Sequence, residues 1–261
     1  MVKSTRQGFD EIVLILPMKN FCDDRKLQAK IARAIDVSPS QDRFLFDMAM
    51  KGVVAHLLPI KQPLAHIFCQ NLFLPSFTTK PYLKPYYQTS HIDEKSHMPL
   101  KTNYYDVVVD FMLWHYYGER HDILQQYYDA LKLGGFFQTV FLGGDSFLEL
   151  ERSFLHADMM INNSATMRFF PRQQMADAIA ALAQFSDIVA DSDKITITFQ
   201  DIKKLLQDAR GMALTNSLIS LSSYFSCPKI LQKTIDYWLA QNPAPLAFNV
   251  ELFYLHAVKT K

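Results

Sequence analysis

Glycine is sparse in this chain: eight residues in 261, and none between positions 53 and 117. That gap excludes a glycine-rich turn from those positions, because such turns need positive φ and a backbone that a phosphate or cofactor can approach closely. Cysteine is scarcer still. Cys22, Cys69 and Cys227 are far apart and odd in number, which argues against a disulfide framework or a CxxC metal knuckle and for a reducing compartment. Neither sign of charge dominates, with 27 Lys+Arg against 26 Asp+Glu and a pI near 7.7, so the chain lacks the basic field that draws proteins to nucleic acid or anionic membrane. Long hydrophobic runs are missing as well. "EIVLILPM", residues 11–18, is too short to span a bilayer and has no small-residue cleavage site, so neither a signal peptide nor a membrane span is expected.

What is present is a chain with 49% hydrophobic residues, enough to build a core. "RKLQAKIARAID" and "QDRFLFDMAMKGVVAHLL" carry apolar residues at helical spacing, with Asp36, Ser40 or Asp42 as boundary caps, and predict two N-terminal helices. Apolar or alternating runs at 64–69, 104–113 and 136–142 predict strands. A helix, "RHDILQQYYDALKL", lies between the last two, and Gly134-Gly135 is expected to close its C-terminus. Further helices are expected at about 145–157, after Pro171, at "QDIKKLLQDARGM" and at "PKILQKTIDYWLAQ". "KITITF" and "FNVELFYLHAV" alternate like strands. Strands and helices alternate throughout, which predicts an α/β fold with a mainly parallel sheet and helices on both faces. Between 64 and 104 the prolines at 75, 81, 85 and 99 interrupt any long helix, so the first βαβ unit is expected to be truncated. Residues 74–98 should form a mostly irregular connection carrying at most one short strand.

"YYDVVVDFMLWHYY", "LKLGGFF" and "FLGGDSFLELERSF" resemble class I S-adenosylmethionine-dependent methyltransferases. They are most similar to the group that contains the malonyl-acyl-carrier-protein methyltransferase of biotin synthesis and complex I assembly factor 5. "FCDDRKLQAKIARA", "DSDKITITFQDIKKLLQDARGMALTN" and "FNVELFYLHAVK" extend the resemblance over roughly residues 21–259. It implies a Rossmann-like domain, here at 61–261, with a helical N-terminal extension at 1–60 packed on it. The family's first strand runs into xDxGCGxG, which binds the cofactor. This chain has "AHIFCQNLF" there, so Phe68, Cys69 and Gln70 stand at the cofactor-binding turn, and no acid for the ribose hydroxyls follows. The resemblance also places Asp93 or Glu94 near the adenine and makes Leu113, beside the strand end, a further cofactor-binding candidate. His115 is the candidate general base, its pairing with Trp114 being either a reversal of the family's His-Trp or a one-residue displacement.

His91, Asp93 and His97 have metal-ligand chemistry, but no second cluster joins them and no metal site is expected. Gly143, Gly144 and Asp145 match the family closely and suggest retained architecture. Arg152 and Arg210 would suit an acidic group, or simply face solvent, and Cys227 reads as a structural cysteine. Tyr86, Tyr87, Trp114, Tyr116 and Tyr117 are the candidate rim for a partner or ligand, since Tyr and Trp bury large area while keeping a polar tip. The expectation is therefore a methyltransferase-family protein with a degenerate cofactor site. It would bind no cofactor, or S-adenosylmethionine if the cleft still works, and act on a protein partner as an assembly or regulatory factor. It is expected in the cytoplasm, or in the mitochondrial matrix of a eukaryote. The alternative is an active methyltransferase on a carboxylate or protein side chain, or a protein-arginine-modifying enzyme.

Overall fold

The computed structural model describes residues 44–61, 64–71, 87–88, 100–114, 121–163, 172–199, 202–212, 228–241 and 246–260. The first described helix, α1 (Phe44–Leu57), buries Leu45, Phe46, Ala49, Met50, Val53, Val54 and Leu57, the stripe that its sequence spacing predicts. It is the described part of the expected N-terminal extension; the helix expected at 25–36 lies outside the described residues.

Six strands follow: β1 (Ile67–Asn71), β2 (Tyr87–Gln88), β3 (Tyr105–Phe111), β4 (Leu131–Leu142), β5 (Ser186–Phe199) and β6 (Leu246–Val258). They form one sheet in the order β2-β1-β3-β4-β6-β5. Pairings from β2 across to β4 are parallel, and β6 runs antiparallel to both its neighbours, so it alone among the described strands points the other way. Helices α2 (His121–Ala130), α3 (Leu148–Asn162), α4 (Met175–Ala181), α5 (Ile202–Gly211) and α6 (Pro228–Gln241) complete an α/β, Rossmann-like architecture.

The strand period of two sorts the sheet into two faces. Val109 pairs in register with Gln138 and Phe111 with Val140 on the face covered by α1, where Phe46 lies 5.8 Å from Phe111. Val108 with Phe137 and Asp110 with Thr139 look toward α2, whose Tyr127 stacks on Phe137 at 5.5 Å. β3 is buried along its length except at Asp106. That carboxylate accepts bonds from the Ala65 and His66 amides, both at 2.8 Å, and from Lys132 Nζ at 2.5 Å. Burial alone would raise its pKa, but these hydrogen bonds and the lysine charge hold it below the usual carboxylate value.

Three expectations are revised. Helix α2 ends at Ala130 and β4 begins at Leu131, so Gly134 and Gly135 do not cap a helix. They sit where the β3–β4 ladder slips register, Gly134 with φ 75°, and they exchange backbone bonds of 2.8 and 2.9 Å with Lys259. A side chain at Gly135 would lie 2.9 to 3.1 Å from three backbone carbonyls, which is why the bulge needs glycine there. β5 is far longer than 194–199, because β6 pairs with it from Ser186 to Phe199 although its first half shows no apolar alternation. Helix α4 is confined to seven residues. β2 is two residues long and parallel to β1; the rest of the 74–98 connection lies outside the described residues.

Candidate functional site

The strand order reverses at β1: the chain leaves it for β2 on one side and returns as β3 on the other. In open α/β sheets ligands bind beyond the carboxyl ends of the strands at such a reversal. Here β1 stays paired with β3 from Ile67 to Asn71, so the ladder continues through positions 68, 69, 70 and 71 instead of opening into a turn. Phe68, Cys69 and Gln70 are all buried.

On the α2 face, Gln70, Asp110 and Thr139 lie side by side in register across β1, β3 and β4. All three are buried. Tyr127 of α2 donates its hydroxyl to Asp110 Oδ2 at 3.0 Å, and Gln70 Oε1 has no hydrogen-bond partner among the described residues. Of this row the sequence singles out Gln70; Asp110 and Thr139 are added by the structure. Their signal was an aspartate inside the apolar run "VVVDFML", because a charge in a buried strand is there for a partner. Chemically, the row offers a carboxyl group, an amide and a hydroxyl at one end of the central strands.

Past β3 the backbone turns at Met112, whose φ of 57° is rare for a residue with a side chain. Leu113 and Trp114 follow, both fully buried. Trp114 stacks 5.9 Å from Phe141 and lies 5.8 Å from Phe137. It is a core residue and not the rim residue expected, since the strained turn carries the indole back against β4. Of the other expected site residues, Tyr86, His91, Asp93, Glu94, His97, His115, Tyr116, Tyr117 and Cys227 lie outside the described residues. Tyr87 is placed only as backbone, in β2.

The Gly143-Gly144-Asp145 segment after β4 is held from several sides. Ser146 Oγ donates to the Glu251 carbonyl and accepts from the Glu251 amide, both at 3.0 Å. Arg172 bonds the Ser146 carbonyl at 2.9 Å and pairs with the Glu151 carboxylate. A Cβ at Gly143 would meet Glu251 at 2.6 Å and one at Gly144 would meet Gln174 at 2.1 Å, so both glycines are close-packing positions. Asp145 is exposed, with Lys194 3.8 Å away. Arg152 and Arg210 are exposed on α3 and α5.

The strand reversal and the one opposed strand among those described define a Rossmann-like α/β protein. Its similarities to known proteins narrow this. It is 26% identical to human mitochondrial arginine-hydroxylase NDUFAF5 over 129 residues, 49% of this chain and 37% of that protein. It is also 26% identical to the malonyl-[acyl-carrier protein] O-methyltransferase of Xylella fastidiosa over 121 residues, 46% of this chain and 40% of that protein. The matches thus span well under half the length of these relatives. Among solved structures, an S-adenosylmethionine-dependent methyltransferase from Archaeoglobus fulgidus aligns with a TM-score of 0.43 and 12% identity, over 82% of this chain and 94% of that one. No protein-family model matches. The chain resembles the class I S-adenosylmethionine-dependent methyltransferase superfamily, through relatives of the two groups whose motifs it carries.

Proposed function

We propose that the protein keeps a methyltransferase-like fold without an S-adenosylmethionine cradle at the strand reversal, and that it works by binding a protein partner. The observation that carries this reading is the unbroken β1–β3 ladder. Where the resemblance implies glycines, Phe68, Cys69 and Gln70 continue the strand with buried side chains, so the backbone there is not presented to a ligand. The residues present at 68–71 therefore do not fit the cofactor. A partner surface is supported by Met159, Met160 and Ile161, three consecutive exposed apolar residues at the end of α3.

Calorimetric titration with S-adenosylmethionine and with its demethylated product tests the first half of the reading. Little or no heat of binding is expected for either. A dissociation constant in the low micromolar range, about 7 to 8 kcal/mol, overturns it and restores an active methyltransferase, or an arginine-modifying enzyme like the relative's name. For the second half, Met159→Glu with Met160→Glu should abolish co-purification of a partner while leaving the melting curve unchanged. Retention of the partner by that variant removes α3 as the surface.

A further inference from the structure

β5 is the outermost described strand on its side of the sheet. At 14 residues it is more than twice the usual strand length of about 5 to 6, and among the described residues it pairs with β6 only. Its outer edge therefore presents a row of backbone N–H and C=O groups, which is a template for a further strand. The two halves of that edge differ. In the first, the ladder with β6 slips between Ser186 and Val189, Asp187 has a φ of 48°, and Asp191 and Asp193 follow. A bulge and charges are the usual guards of a sheet edge. Val189 and Asp191 also border a cavity of about 240 Å³ beside the end of α1, with His56, Tyr254 and His256.

The second half, "KITITF" at 194–199, runs in regular register with β6. Lys194 is its only charge. The ammonium is drawn back over the sheet, 3.4 Å from Glu251 of β6 and 3.8 Å from Asp145, so it is engaged away from the open edge. Ile195 and Ile197 are half-buried and pack against the core, and Phe199 is buried. Thr196 and Thr198 are exposed on the opposite face, where the Thr196 hydroxyl donates to Asn249 Oδ1 at 3.0 Å. Alternating β-branched residues of this kind pair well across an antiparallel ladder.

A second copy of β5 complements this stretch, and symmetry and charge fix its register. Two identical antiparallel strands are related by a two-fold axis normal to the sheet, so each side chain keeps its face and odd-numbered residues oppose odd ones. Centring the pair at 191, 192 or 193 sets Asp191 or Asp193 against an aspartate of the other copy. Centring it at 194 sets Lys194 against itself. Centred at Thr196, Ile195 opposes Ile197 twice, Lys194 opposes Thr198, and no like charges meet over residues 193–199. We propose that the chain self-associates by antiparallel pairing of β5 with β5 of a second copy about Thr196, which joins the two sheets into one. The paired strip is narrow, so the dimer belongs with the weak interfaces below about 1,200 Å². It uses neither the strand reversal nor the exposed end of α3, and it is independent of the function proposed above.

Sedimentation velocity of the full chain over a range of concentrations tests this. A monomer–dimer equilibrium with a dissociation constant of about 10 to 100 μM is expected. Thr198→Asp puts a carboxylate opposite Lys194 at two places in the dimer and should tighten it by about fivefold, whereas Thr198→Lys should weaken it by at least as much. Thr196→Lys and Thr196→Asp each set like charges face to face on the axis, and each should leave the chain monomeric. Mixing those two variants should restore a dimer, which also shows that both are folded. The opposite signs at position 198 stand by themselves if either variant at 196 does not fold. Ala190→Lys, in the guarded half and outside the paired strip, should change nothing. A chain still monomeric at ~200 μM, a dimer indifferent to charge at 196 and 198, or one that Ala190→Lys dissolves overturns the proposal.

Discussion

On the α2 face, Gln70, Asp110 and Thr139 lie abreast and buried, with the stacked rings of Trp114, Phe137 and Phe141 on the same side. On the α1 face, Gln138 and His256 are just as close in register, yet they open onto a cavity. Both sets come from strands of the same alternating pattern. What differs is the cover. One face is packed by large aromatic side chains and the Tyr127 hydroxyl, whereas over the other α1 stops at Leu57 and leaves room beyond its last turn. Open space beside this sheet is thus decided by what lies over the strands rather than by the strands themselves.

The comparison breaks first at Trp114. If the indole is part of the packing that fills the α2 face, Trp114→Ala should destabilise the protein by about 3 to 5 kcal/mol in urea unfolding. A loss below about 1 kcal/mol would return it to the rim and reopen that face. A smaller effect is expected at the opposite end of the strands. Asp106→Ala leaves two amides and Lys132 without their acceptor and should cost about 1 to 3 kcal/mol. Because the folded carboxyl has the lower pKa, its contribution is present above the unfolded value near ~3.9 and is lost as pH falls through the folded one. The variant should therefore show a flatter stability profile below about pH 4, and an unchanged acid limb would contradict the assignment.

The smallest effect distinguishes the α1 face. His256 has its pKa lowered, so below about pH 6.5 the unfolded chain takes up that proton before the folded one does, and stability declines with acid from there. The slope is well under about 1.4 kcal/mol per pH unit, since the ring is partly exposed. His256→Gln should flatten this limb and leave the one near pH 4 intact, as unfolding midpoints across that range would show.

Much of this frame is legible in the chain. "YYDVVVDFML" and "FNVELFYLHAV" announce β3 and β6 because buried strands leave apolar or alternating runs. The absence of glycine at 68 and 70 fits a β1 that stays paired with β3 as far as Asn71. The first half of β5 is not legible: residues 186–193 are mostly polar and exposed, and their strand form comes from β6 alongside. "LKLGG" reads as a helix end because glycine serves a cap and a bulge equally well, and only the partner strand decides. Nor does the α1-face cavity leave a local signature. Its residues come from four elements as much as 200 positions apart (56 and 256), so no spacing rule connects them.

β6 is the last of the six strands in chain order, yet it lies inside the sheet, between β4 and β5. During synthesis, every element from α1 to α6 leaves the ribosome before the strand that joins two parts of the sheet. Until β6 arrives, β4 and β5 each present an open hydrogen-bonding edge, the form most prone to pairing with another chain. Closing the sheet also requires β4 to meet a partner more than a hundred residues further on, a slow step set by topology rather than by local propensity. The β6-facing edges of β4 and β5 are thus open to pairing with another chain until the last of the described strands has been made.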